Sequence, residues 1–181
     1  MKWIKRIAAI VAVVVVILAL VGFALPGHYQ VSRSTVVKAS TGAVFEPISD
    51  LTTWPEWTAW NTAKYPDMKV TFEGRPAQMG SSYSWVGSTS GKGKLVLTGV
   101  DPEQGIDYEL DFDDGAFLCN GSISFVPEGE AVRVTWTMGG DLGWNPINRY
   151  FGLLMDGMMG PDFETGLKQL KARAEKRDQE G

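Results

Sequence analysis

The chain has one cysteine, Cys119, and one histidine, His28, in 181 residues. A single thiol excludes an intrachain disulfide and any zinc site built from cysteines. The only imidazole sits just after an N-terminal apolar run, so the remainder holds no Ser-His-Asp or Cys-His set and no histidine metal site. The reading is of a protein with no metal and no cofactor. Cys119 falls in a strand-like segment and reads as a small core residue rather than a nucleophile. Positive charge is also scarce. Of the 17 Lys and Arg, three (Lys2, Lys5, Arg6) lie at the extreme N-terminus, whereas all 21 Asp and Glu lie beyond His28. A net acidic domain disfavours nucleic acid and anionic membrane surfaces as its main partners. Internal repeats and low-complexity tracts are absent.

One long apolar run is present. Ile7 to Leu25 holds 19 residues without a charge, preceded by Lys2, Lys5 and Arg6 and ended by Pro26-Gly27. At about 1.5 Å per residue it reaches just under roughly 30 Å, the thickness of a bilayer's hydrocarbon core. The basic flank predicts a single-pass segment with the N-terminus inside and the domain outside the cytoplasm. An uncleaved anchor and a cleaved signal peptide both fit; the run is long for a signal core, and Gly22-Phe23-Ala24 is a passable cleavage site. Residues 1–28 are therefore read as a membrane segment and 29–181 as one domain.

Tyr29 to Lys38 alternates and is rich in β-branched residues, which predicts a strand. Thr41 to Ser49 has Val44, Phe45 and Ile48 at helical spacing, with Ser40 or Thr41 as cap. Asp50-Leu-Thr-Thr-Trp-Pro-Glu-Trp57 reads as a turn or second short helix, with Pro55 at its start. Six strand-like segments follow, about Met68–Glu73, Ser81–Gly87, Lys92–Asp101, Ile106–Phe112, Ala116–Val126 and Ala131–Gly139. Their short connections imply an antiparallel meander. Tyr108, Leu110 and Phe112 alternate with Asp107, Glu109 and Asp111, so one face is buried and the other solvated. From Asn145-Pro146 a helix runs to about Arg177, its apolar face drawn from Phe151, Leu154, Met155, Met158, Met159, Phe163, Leu167 and Leu170. Gly160-Pro161 predicts a kink or two abutting helices. Ser88 to Lys94 imitates a phosphate loop but lacks its spacing and joins two strands, so it reads as a hairpin turn.

Three tryptophans in seven residues, Trp54, Trp57 and Trp60, are the densest aromatic feature. Together with the element order they carry a resemblance. Val31-Ser-Arg-Ser-Thr-Val-Val-Lys-Ala-Ser40, Val44-Phe45…Ile48-Ser49-Asp50, Trp54-Pro55-Glu56-Trp57, Arg149 to Asp156 and Asp162 to Lys171 resemble the START/Bet v 1-like (SRPBCC) superfamily. The closest likeness is to its polyketide cyclase/dehydrase-like group, and it covers nearly all of residues 29–181. The resemblance implies an α+β helix-grip fold, a seven-stranded curved antiparallel sheet wrapped around a long C-terminal helix. Here one transmembrane helix would precede it. It also implies an apolar cavity for a lipid or other hydrophobic small molecule, and such folds serve both carriers and enzymes.

Trp57, Trp60, Tyr83, Trp85, Tyr108, Phe112, Trp136, Met155 and Met159 are the expected cavity wall, with Trp144 from the same surrounding segments. Aromatic and methionine side chains give a large, adaptable apolar lining, and a plainly filled core is the alternative. For acid–base work only carboxylates remain, and Asp141 and Asp156 are the candidates that could face the cavity. Three functions follow. The first is a membrane-anchored binder of a hydrophobic molecule or lipid. The second is a cyclase- or dehydratase-like enzyme with a pocket carboxylate. The third is a non-catalytic envelope interaction module, which a large exposed apolar patch would favour.

Overall fold

The computed structural model describes residues 2–180. An apolar helix, α1 (Lys2–Ala24), leads directly into β1 (His28–Val37). Next come α2 (Thr41–Ser49), a 3-10 turn over Leu51–Thr53 and the single-turn α3 (Trp54–Trp57). The meander is β2 (Lys69–Glu73), β3 (Ser82–Gly87), β4 (Gly91–Asp101), β5 (Gly105–Phe112), β6 (Phe117–Glu128) and β7 (Ala131–Asp141). The chain closes with α4 (Pro146–Glu180). The strands form one seven-stranded antiparallel sheet in the order β1-β7-β6-β5-β4-β3-β2. β1 meets β7 in register from His28 opposite Asp141 to Val37 opposite Val132. This is the helix-grip architecture: sheet on one side, α4 packed across it.

The alternation in sequence becomes the two faces of the sheet. Tyr108, Leu110, Val132, Val134, Trp136 and Met138 are buried, and Asp107, Glu109 and Arg133 are exposed. Ser40 caps α2, its hydroxyl accepting from Ala43 N at 3.4 Å.

The tryptophan motif closes the other end of α2. The last carbonyls of a helix have no intrahelical partner. Trp54 Nε1 donates to Ile48 O at 3.0 Å, and Trp57 Nε1 donates to Pro47 O at 3.1 Å. The i, i+3 spacing of the two indoles on α3 matches the adjacent carbonyls they reach. The rings turn their faces to the core, where both are buried.

α4 differs from the sequence expectation in two ways. First, it is a single helix through Pro161 rather than two abutting ones. A proline removes one backbone hydrogen bond and crowds the preceding turn, but Arg33 of β1 clamps both sides of it. The guanidinium donates to Asp156 at 2.7 and 3.0 Å and to Glu164 at 2.7 Å. Second, the apolar residues of α4 divide between two faces. Phe163, Leu167 and Leu170 are buried with Met155 and Met159 beside them, whereas Phe151, Leu154 and Met158 point to the outside.

The Arg33 clamp predicts an acid response. Its hydrogen bond and charge hold the Asp156 carboxyl below the ordinary value of 3.8. A depressed carboxyl contributes stability above its unfolded pKa and loses it as pH falls through the folded value. Arg33→Ala should therefore lower stability at neutral pH and flatten the loss of stability below about pH 4. Unfolding midpoints followed by circular dichroism at pH 7 and across pH 2–4 measure both effects. An unchanged acid slope would show that the clamp is not coupled to folding.

A candidate binding cavity

Between α4 and the sheet lies a cavity of about 50 Å³, walled almost entirely by apolar atoms. That is room for a few water-sized groups, well short of the ~300 Å³ at which sites for drug-sized ligands begin.

Trp136 of β7 organises one side. Its indole N–H donates to the Tyr108 hydroxyl at 2.8 Å, and its ring stacks on Phe163 of α4 with centroids 4.3 Å apart and planes 4° from parallel. Trp54 meets the Tyr108 and Trp136 rings edge-on, each with centroids at 5.9 Å. The other side is a second aromatic group. Trp85 stands edge-on to Phe112 at 5.3 Å, and Trp60 leans on both at 6.2 and 6.1 Å.

Few polar atoms reach this space. Tyr83 donates its hydroxyl to Trp60 O at 3.3 Å, and burial pushes its phenol pKa up to about 12. Burial raises the Tyr108 phenol as well, so it is neutral throughout the physiological range. Asp162 of α4 is the one carboxylate in the wall, and its side chain is 18 % exposed. Both its oxygens accept from Lys64 Nζ, at 2.6 and 2.7 Å. That ammonium also sits 5.6 Å from the centre of the Trp60 ring and 5.4 Å from that of Tyr65, a cation–π arrangement. Burial pulls the Lys64 pKa down, but the Asp162 hydrogen bond and charge outweigh it and the net shift is upward. The indole N–H of Trp60 is buried and has no hydrogen-bond partner.

Seven residues expected at the wall are there: Trp60, Tyr83, Trp85, Tyr108, Phe112, Trp136 and Met159. Trp57 stands behind the wall, fully buried and tied to α2. Met155 packs at the core's edge one turn before Met159. Trp144 is 80 % exposed and rests against Phe23 of α1 with centroids 5.1 Å apart. Neither proposed carboxylate reaches the cavity. Asp141 closes the turn after β7 by accepting from Gly143 N at 2.6 Å, and Asp156 is held outward by Arg33. The sequence reading passed over Trp54, Asp162 and Phe163 as wall residues. Met159, Asp162 and Phe163 stand at i, i+3 and i+4, the spacing of one helical face, and that pattern would have placed the acid beside the cavity.

Comparison with curated proteins finds no match. Among solved structures, the chain is similar to a Staphylococcus aureus protein of unknown function, with a TM-score of 0.63 and 10 % identity over 84 % of this chain and 96 % of that one. A Thermobifida fusca protein solved by NMR matches at 0.61 and 19 % identity, covering 81 % and 93 % of the two chains. The di-domain ARO/CYC StfQ of the steffimycin biosynthetic pathway matches at 0.64 and 14 %, over 83 % of this chain and 52 % of that one. At these identities the likeness is one of fold. Residues 28–175 match the sequence profile of the family described as polyketide cyclase/dehydrase and lipid transport. The match runs from the first residue of β1 to the last turns of α4 and takes in every wall residue named above, so the chain belongs to that family.

Proposed function

We propose that the domain carries a hydrophobic small molecule or lipid in the cavity, close to a membrane that α1 enters as an uncleaved anchor. The division into an anchor, residues 1–28, and a binding domain, residues 29–181, follows from that reading. Lys2, Lys5 and Arg6 before the apolar helix support an N-inside orientation, with the domain outside the cytoplasm. The observation that carries the ligand is the Trp60 indole N–H. The Trp60 ring lines the apolar wall and its N–H is buried and unpaired; a buried unpaired donor costs about 1–3 kcal/mol. A ligand with a carbonyl or hydroxyl on an apolar body would satisfy it once the ring turns the N–H toward the cavity. The cavity as it stands admits only a small group, so a longer ligand requires Trp60 and Met159 to swing aside.

Purification of the full chain in mild detergent, followed by solvent extraction and mass spectrometry, should recover an apolar molecule bearing such an acceptor. Trp60→Phe keeps the aromatic wall and removes the donor. It should weaken retention about tenfold, the equivalent of roughly 1.4 kcal/mol for one hydrogen bond. Wild type that yields no ligand, and binds none of a panel of fatty acids, sterols and aromatic polyketides, would end this reading.

The enzyme reading is favoured by Asp162, the one carboxylate in the wall. Its two oxygens are already engaged by Lys64, which suits positioning of that loop more than proton transfer. Asp162→Asn should therefore leave the identity of the retained molecule unchanged. Recovery of a different, unconverted compound from Asp162→Asn would favour a cyclase- or dehydratase-like reaction instead.

A further inference from the structure

The first turns of α4 are bound to the apolar helix α1. Arg149 Nη1 donates to Phe23 O at 2.8 Å and to Leu25 O at 3.0 Å, capping carbonyls at the end of α1. Tyr150 donates its hydroxyl to Leu18 O at 2.7 Å. Gly22 is the buried residue of α1, and a Cβ there would stand 2.7 Å from Pro146 Cβ. Leu18 lies seven residues before Leu25, the end of the apolar run, which at about 1.5 Å per residue is roughly 10 Å along the helix. If α1 spans a bilayer, these contacts draw the start of α4 down to the level of the membrane interface.

The surface around that joint is apolar. Ile147, Phe151, Leu154 and Met158 recur at spacings of four, three and four, a single stripe along α4, and each is more than half exposed. Trp144, just ahead of the helix, is exposed as well. A different element adds to the same end of the domain. β1 begins and β7 ends there, with His28 opposite Asp141. Cys119 pairs with Gly140, which brings the β5–β6 hairpin to this end, and at its tip Phe117 and Leu118 are both 65 % exposed. The acidic turn beside them is partly neutralised by an ion pair between Lys92 and Asp114. A soluble surface seldom gathers such a set, whereas an amphipathic helix lying at a bilayer needs an apolar stripe, and tryptophan favours the interface.

We propose that the Trp144–Met158 segment and the Phe117–Leu118 hairpin tip form a second membrane contact, which seats the domain on the leaflet from which α1 emerges. The proposal rests on the reading of α1 as a membrane span. The occupant is the lipid surface itself, because the stripe is continuous with the helix that would already lie in it. The seat also places the cavity beside the bilayer. Phe112 in the cavity wall is the cross-strand partner of Phe117, and Met159 in the wall adjoins Met158 of the stripe.

The test uses the full chain in phosphatidylcholine/phosphatidylglycerol vesicles, with nitroxide labels on single introduced cysteines. Leu118→Cys and Leu154→Cys report the seat, Val13→Cys reports α1, and Lys168→Cys is the exposed control. Unmodified protein treated with the reagent corrects for the buried Cys119. Collision rates with oxygen and with a water-soluble nickel chelate give depth. The expected result is an oxygen-to-nickel ratio several-fold higher at 118 and 154 than at 168. Ratios at 118 and 154 equal to that at 168, with Val13 reading as bilayer, would overturn the seat and leave the anchor standing. An aqueous reading at Val13 would overturn the anchor, and the seat with it. Spin–spin broadening at 154 that persists on dilution with lipid would assign the stripe to a second copy of the chain and overturn the seat.

Discussion

Gly121→Val should melt far below the wild-type chain, the largest effect expected of any single substitution at the cavity. A Cβ at position 121 would lie 2.2 Å from Tyr108 Cζ and 2.3 Å from its hydroxyl oxygen, well inside contact distance. Tyr108 is held on two sides, since Trp54 meets its ring edge-on and its hydroxyl receives the Trp136 indole N–H. Overpacking of a well-filled interior costs about 1–3 kcal/mol. Displacing the tyrosine also strands the Trp136 donor, a further penalty of about 1–3 kcal/mol. Together these take a large share of the roughly 5–15 kcal/mol that holds a domain folded. Gly42→Ala in α2 is the matched control, since a Cβ there has nothing within 4 Å. Near-ultraviolet circular dichroism melts in detergent measure both. Gly121→Val melting within a few degrees of wild type would mean that the aromatic wall is loose enough to be remodelled by a ligand at little cost.

Trp57→Ala is the second. The side chain is fully buried, edge-on to Trp54 at 5.3 Å and tilted on Trp136 at 5.4 Å. Truncation of a core tryptophan costs about 3–5 kcal/mol, which for a chain of this size lowers Tm by roughly 10–15 °C. The indole also donates to Pro47 O, so two contributions must be separated. Trp57→Phe retains most of the ring and removes the hydrogen bond. Pro47 O keeps a second donor, the Thr53 hydroxyl at 2.9 Å, so Trp57→Phe should cost much less than Trp57→Ala. Packing is the larger effect on this account. Equal destabilisation by the two variants would instead make the capping of α2 dominant.

Much of the fold is written in local pattern. The strands of the meander appear in sequence as segments between turn residues, several of them alternating, and no end in the structure lies more than two residues from the expected one. The helix bounds of α2 follow from Ser40 and the spacing of Val44, Phe45 and Ile48. Pro161 does not divide α4 into two helices; its cost is local, whereas the clamp across it comes from Arg33, 123 residues away from Asp156 in the chain.

The site was less legible. Asp156 and Asp162 both sit among apolar residues of α4, six positions apart. At 3.6 residues per turn they point in different directions, and only the position of β1 decides which is inward. Arg33 takes Asp156 to the outside and leaves Asp162 at the cavity. Trp54 and Trp57 share one helical turn, and their division of labour depends on where Tyr108 and Trp136 rise from the sheet. The apolar residues of α4 gave no sign that half of them would remain uncovered.

By itself, then, the sequence determined the apolar N-terminal helix, the order of strands and helices, and the family. These depend on composition, on periodicity along one element and on motifs of a few residues. The tertiary structure alone decided the cavity's small size, the unpaired indole of Trp60, the carboxylate at the wall and the apolar stripe beside α1. Each of those is set by contacts between residues far apart in the chain, and the faces two elements turn toward one another are fixed only when both are packed.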